Sequence, residues 1–144
     1  MTRMPAPVRV DITHTFRSDP ATVHAALSEH ENLGPVFGAS VTRVRDGETE
    51  RNGVGSTRRL KIGPLPAFEE TVTESVPGEL IAYRITKGSP LKGHWGEQRL
   101  FPTADGGTRL EYRIGFDAAV PGLAQVVALG LRQRIPAGLD KLVP

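Results

Sequence analysis

The chain has 144 residues, 38% hydrophobic and 24% charged, with a formal net charge of +2. That is the length and composition of one globular domain, 1–144, and neither a disordered chain nor the clustered charge of a nucleic-acid binder. With no cysteine, disulfides, thiolate metal sites and a thiol nucleophile are excluded.

The N-terminal "MTRMPAPVRV" lacks an apolar core of signal-peptide length. "VRVDITHTF" (8–16) alternates, with Val8, Val10, Ile12, His14 and Phe16 on one face, as in a half-buried strand. Asp19 and Pro20 then suit the N-cap and first position of a short helix running to about Ser28. "HENLGPVFG" predicts a second short helical turn ending at Gly34-Pro35. His24 and His30, in these helices, read as surface residues.

From 39 to 117 the chain is strand and turn. Strands are expected over 39–46, 53–62, 67–76, 79–87, 93–102 and 108–117, separated by "DGETERNG", "GPLP", "VPGE", "KGSPLKG" and "ADGG". Close spacing by hairpins predicts an antiparallel meander. "RRLK" (58–61), the one local basic cluster, reads as a solvated strand face. Leu123, Val126, Val127, Leu131, Ile135, Leu139 and Leu142 form a helical stripe over 121–143, with a kink or break expected at Pro136. The longest uncharged apolar run, 118–131, is too short to span a bilayer. A cytoplasmic protein without a membrane span is therefore expected. The fold class that follows is α+β, with a curved seven-stranded antiparallel sheet whose concave face the long C-terminal helix covers.

This element order, with those residues, resembles the helix-grip order of the START-related (SRPBCC) superfamily, of the polyketide cyclase/dehydrase and lipid-transport type. "FEETVTESVPGELIAYRI" and "LFPTADGGTRLEYR" resemble patterns of the bacterial polyketide cyclases/dehydrases, and "GPLPA" (63–67) is similar to the gate loop of the abscisic-acid receptors. The resemblance implies a ligand cavity between sheet and helix. It spans enzymes, carriers and receptors, and so leaves the activity open.

Turn chemistry gives a register. A two-residue Asp105-Gly106 loop pairs Ala104 with Gly107. Phe101 then faces Leu110, Arg99 faces Tyr112, Glu97 faces Ile114 and Trp95 faces Phe116. A Pro77-Gly78 turn sets Val72 against Tyr83, Glu70 against Ile85 and Glu74 against Ile81. The inward set is therefore His14, Glu70, Tyr83, Trp95, Glu97, Arg99, Tyr112 and Phe116. The Gly/Pro loops carrying Leu65 and Leu91 are expected to act as lids. Glu97 and Arg99 either balance each other in the scaffold or anchor a ligand. No catalytic residue is assigned. The four histidines lack metal-ligand spacing, and no phosphate-cradling loop or nucleophile elbow is present, so neither metal nor cofactor is expected. The expected partner is a small hydrophobic molecule, lipid or polyketide-like, bound by a carrier or sensor; a polyketide cyclase/dehydrase-type enzyme is the alternative. A monomer or homodimer and no nucleic-acid contact are expected.

Overall fold

The computed structural model of the chain describes residues 6–144; the first five residues of the stretch read for a signal peptide lie outside these. The elements are β1 (Val8–Phe16), α1 (Pro20–Ser28), a 3₁₀ turn (His30–Asn32), α2 (Leu33–Phe37), β2 (Ser40–Arg45), β3 (Thr57–Lys61), β4 (Phe68–Val76), β5 (Leu80–Lys87), β6 (Leu91–Pro102), β7 (Thr108–Ala118) and α3 (Leu123–Asp140). The strands form one antiparallel sheet in the order β1-β7-β6-β5-β4-β3-β2. Only β1 departs from sequential order: it pairs with β7, and α1 and α2 are the excursion between β1 and the meander.

The alternation read in β7 holds, and in β1 it holds from Val10 onward; an irregularity between Val8 and Val10 leaves Val8 exposed rather than inward. Val10, Ile12, Phe16, Leu110, Tyr112, Ile114 and Phe116 are all buried. They meet Ala124, Ala128, Ile135 and Leu139 of α3 in the core. Asp19 caps α1, its carboxylate accepting from the Thr22 amide at 2.8 Å, and so satisfies one of the free amides of the first turn.

Two helical expectations change. α2 does not stop at Gly34-Pro35 but continues to Phe37 and ends at Gly38, which adopts φ 64°. Pro35 lies in the first turn, where a missing N–H breaks no helical bond, while a left-handed C-cap suits glycine. α3 runs unbroken through Pro136. The carbonyl that Pro136 leaves without a partner is that of Arg132, an exposed residue, and water can satisfy it.

The largest correction concerns β6. The 102–108 connection is not a two-residue hairpin. The Thr103 amide donates to the Gly107 carbonyl at 3.0 Å, which encloses a three-residue loop ending in Gly106 at φ 89°. The observed pairs are therefore Phe101 with Arg109, Arg99 with Glu111, Gln98 with Tyr112, Glu97 with Arg113 and Trp95 with Gly115. A one-residue slip turns every side chain of a strand to the other face. Trp95, Glu97 and Arg99 accordingly lie on the convex face, and Gly96, Gln98 and Leu100 point inward. The observed register sets Glu97 against Arg113 and Arg99 against Glu111, complementary in both pairs.

The β4–β5 count holds for Val72 with Tyr83 and Glu70 with Ile85. A bulge beyond Val72 then shifts the ladder, so that Glu74 pairs with Ala82 and not with Ile81.

Candidate functional site

The concave face of the sheet and the N-terminal half of α3 enclose a cavity of about 60 Å³. Its wall is mostly apolar, with Leu60, Phe68, Ile85, Ile114 and Phe116 from the strands and Val127 and Leu131 from α3. Leu65 and Pro66 from the β3–β4 loop, and Pro90 with Leu91 at the start of β6, close one end. Four polar residues line the cavity: Ser89 beside Pro90, and Glu70, Tyr83 and His94 on the sheet.

Glu70, Tyr83 and His94 belong to a buried polar cluster that begins with Arg58. β3 pairs with β4 so that Arg58 stands opposite Glu70. Arg58 Nε and Nη2 donate to Glu70 Oε1 at 2.9 and 2.8 Å, and both side chains are almost fully buried. The Arg58 guanidinium also lies 4.7 Å from the centroid of the Tyr83 ring, a cation–π contact. On the other side of Glu70, Oε2 faces His94 Nε2 at 3.8 Å.

The histidine's protonation follows from its backbone partner. The Ile85 amide donates to His94 Nδ1 at 3.1 Å. Nδ1 is therefore the acceptor, and the ring's proton sits on Nε2, aimed at Glu70. Burial holds the His94 pKa below the ordinary histidine value; the Glu70 carboxylate pulls it up and Arg58 pushes it down. Beneath this cluster the Tyr83 and Tyr112 hydroxyls share a short hydrogen bond. Burial raises the pKa of both. A neutral imidazole and two neutral phenols thus surround one buried ion pair.

Gly96 makes this arrangement possible. A Cβ there would overlap Tyr83 Cζ, so the ring occupies the space a side chain would take. On the opposite face a Cβ at Gly115 would overlap Trp95 Nε1. Trp95 covers that glycine and donates to the Ala6 carbonyl at 3.0 Å.

Of the residues expected inside, Glu70, Tyr83 and Phe116 line the cavity, as do Leu65 of the 62–67 loop and Leu91, which is not at a loop tip but is the first residue of β6, paired with Ala118. Tyr112 is fully buried one layer behind Tyr83. His14 is on the inner face but away from the cavity, with its Nε2 3.5 Å from Asp140 near the end of α3. Trp95, Glu97 and Arg99 are not cavity residues; Arg99 Nε donates to Glu97 Oε1 at 2.6 Å on the convex surface. Neither version of the Arg99 role, internal balance or ligand anchor, survives this placement.

The residues that sequence reasoning missed are Arg58, His94 and Gln98. Arg58 shares a strand face with Leu60, which marks that face as inner, yet the cluster "RRLK" read as solvated. His24 and His30 are buried too. His24 packs between the Ser28 and Ser75 hydroxyls. His30 is fully enclosed, and neither ring nitrogen has a hydrogen-bond partner among the described residues. Burial, with Arg58 and Arg43 nearby, lowers its pKa to about 3.

With the geometry in view, the kinship is plain. Residues 7–144 match the family described as polyketide cyclase / dehydrase and lipid transport, and the chain belongs to that family. The fold is START-like. A START superfamily protein from Mycobacterium smegmatis superposes with a TM-score of 0.77 at 14% identity, covering 93% of this chain and 95% of that one. A Thermus thermophilus protein gives 0.74 at 18% identity, covering 94% of each chain. The Zhui aromatase/cyclase from a Streptomyces species gives 0.64 at 21% identity, covering 92% of this chain and 82% of that one. The comparison with curated proteins gives no match. No helix among the described residues is long and apolar enough to cross a membrane.

Proposed function

We propose that the protein binds a hydrophobic small molecule, lipid or polyketide-like, between the sheet and α3, and acts as a carrier or sensor. The observation that carries this reading is a mostly apolar interior cavity whose wall holds few polar groups, Glu70, Tyr83 and His94 with Ser89 at the rim, beside the apolar Leu65 and Leu91. A largely apolar pocket with a few convergent polar groups is the usual site for a small ligand. The cavity's volume adds a mechanistic requirement. Drug-sized ligands occupy roughly 300–1,000 Å³, so the ligand must displace the 62–66 and 89–91 loops, or α3, as it enters. The loops act as lids in this reading, Leu65 and Leu91 withdrawing to admit the ligand and closing over it. A ligand hydroxyl or carbonyl would meet Glu70 or the His94 Nε2 proton, and its apolar body would pack on Phe68, Ile114 and Val127.

One feature favours the second reading, an enzyme of the cyclase/dehydrase type. His94 is neutral, fixed in one tautomer, and shares the cavity wall with a carboxylate, as a general acid–base pair requires. The aromatase/cyclase among the structural relatives supports it by analogy of fold alone.

Native mass spectrometry of the protein purified from its own host tests the binding reading. A fatty acid or sterol-like lipid supports the carrier, and an aromatic polyketide supports the enzyme. The same measurement on Leu131→Trp, which fills the cavity from α3, should find the ligand gone. Undiminished ligand in that variant would place the binding site elsewhere. If turnover is found, His94→Gln should abolish it and leave binding intact; loss of both together would return His94 to the role of a wall residue.

A further inference from the structure

We propose that His30 is an acid-sensitive latch: a proton on its ring releases the segment 29–38 from the sheet, and with it the cavity wall at Phe37, while the remaining strands stay paired. The first observation is the setting of the ring. His30 opens the 3₁₀ turn between α1 and α2 and is fully buried, and neither ring nitrogen has a hydrogen-bond partner among the described residues. A neutral imidazole there leaves one donor and one acceptor unmet. An imidazolium would leave two donors and a charge unmet, which costs far more.

The second observation is what faces the ring. Arg58 of β3, Arg43 of β2 and Arg51 of the β2–β3 loop all disfavour a positive charge on it, and Glu31 of its own turn favours one. The carboxylates of this region are already engaged: Glu70 by Arg58, Glu29 and Glu31 by Arg43 and Arg51, and Asp46 by Arg43. Arg45, the other cation of β2, donates to the Gly55 carbonyl and the Thr57 hydroxyl. α2 has no titratable residue, and the one in α1, His24, packs between the Ser28 and Ser75 hydroxyls. A charged ring would therefore add a cation to a buried space in which no carboxylate contacts it.

The third observation is how little else holds the segment. α2 has five residues, too few to be helical alone. Its hold is the packing of Leu33, Val36 and Phe37 in the core and against α3, where a Cβ at Gly138 would overlap the Val36 backbone. The ion pairs of Glu29 and Glu31 lie at the rim, partly exposed, where each contributes little. The seven strands, by contrast, form one continuous ladder. The segment is thus the unit that opens first. Phe37 lines the cavity and Arg58 holds Glu70 at its wall, so the charged ring acts on the cavity through both. The opening does not depend on the cavity being a ligand site; release of a bound molecule on acidification does, and rests on that reading.

The test is hydrogen exchange of the full chain, read by mass spectrometry at about pH 7.5 and about pH 5 and corrected for the intrinsic rate. A ring with a pKa of about 3 when closed and about 6.5 when open favours the open segment as pH falls, by roughly thirtyfold over that interval. Protection at 33–38 should fall by that factor while β6 and β7 keep theirs. His30→Gln, which stays neutral, should abolish the pH dependence, and His24→Gln should keep it. Unchanged protection at 33–38 in the wild type would overturn the proposal, as would a fall shared equally by β6 and β7 or one that His30→Gln retains. If His30→Gln does not fold, the wild-type profile decides: loss of protection that sets in near pH 6.5 supports the latch, and loss that sets in only below about pH 4.5, where ordinary carboxylates take up protons, overturns it. Native mass spectrometry of the same samples for a co-purified molecule decides the cavity reading separately.

Discussion

Replacing Arg58 with methionine removes the cation from a pair that lies almost wholly out of water. Arg58 and Glu70 side chains are 3% and 6% exposed, with two N–H donors on one carboxylate oxygen at 2.9 and 2.8 Å. Without the guanidinium, Glu70 Oε1 loses both donors. Its remaining neighbour, His94 Nε2, stands 3.8 Å from the other oxygen, beyond a good hydrogen bond. A stranded buried charge of this kind costs about 3–5 kcal/mol, against a total stability of about 5–15 kcal/mol for a domain. For a chain of this size each kcal/mol lowers Tm by roughly 2–4 °C, so Arg58→Met should lose about 6–20 °C. Thermal and urea unfolding followed by circular dichroism measure this. The double variant Arg58→Met with Glu70→Gln should recover most of the loss, because no unpaired ion remains. An Arg58→Met protein within about 1 kcal/mol of wild type, which is the value of an exposed ion pair, would refute the buried geometry on which the site description rests.

His30 gives a pH prediction with a definite sign. Its folded pKa of about 3 lies below the unfolded value, so the folded state prefers the neutral ring. The stability this contributes is complete above about pH 6.5 and falls as pH drops toward 3. Two pH units below the unfolded value the loss approaches about 2.7 kcal/mol. Urea midpoints measured from about pH 7 down to about 4.5 should show this slope, and His30→Leu should flatten it; an unchanged slope would mean that other groups govern acid sensitivity. Gly96→Ala should destabilise by about 1–3 kcal/mol, because the new Cβ would overlap the Tyr83 ring. A near-neutral result by thermal unfolding would show that the ring can move aside.

The architecture was legible in the chain before any contact was known. Alternation in β1 and β7, turn residues between the strands of the meander and a three-and-four stripe at the C-terminus are local signals, and each is written in consecutive residues. Part of the cavity was legible too. Glu70 and Tyr83 followed from a hairpin whose Pro-Gly turn holds its expected geometry at the pairs that matter, and Phe116 followed from simple alternation. Leu65 and Leu91 stood out because Gly/Pro loops carry few apolar residues without reason.

Register and burial, by contrast, were settled only by the assembled sheet. One residue in the 103–107 loop separates a two-residue turn from a three-residue one. That residue decides whether Glu97 and Arg99, or Gln98 and His94, enter the interior. The complementary pairs of Glu97 with Arg113 and Arg99 with Glu111 were a signal for the observed register, but cross-strand charge is weak beside turn type. Arg58 could not be placed inside by composition, since a cation in a basic stretch is normally solvated. Its burial depends on Glu70 arriving opposite it from the next strand. His30 is the same case with no hydrogen-bond partner among the described residues: α2 and the sheet close over a ring that the local sequence leaves on a surface turn. Local patterns fix the elements because they act between near neighbours. The polar interior is fixed by which strands meet at which residue, and no stretch of consecutive residues carries that information.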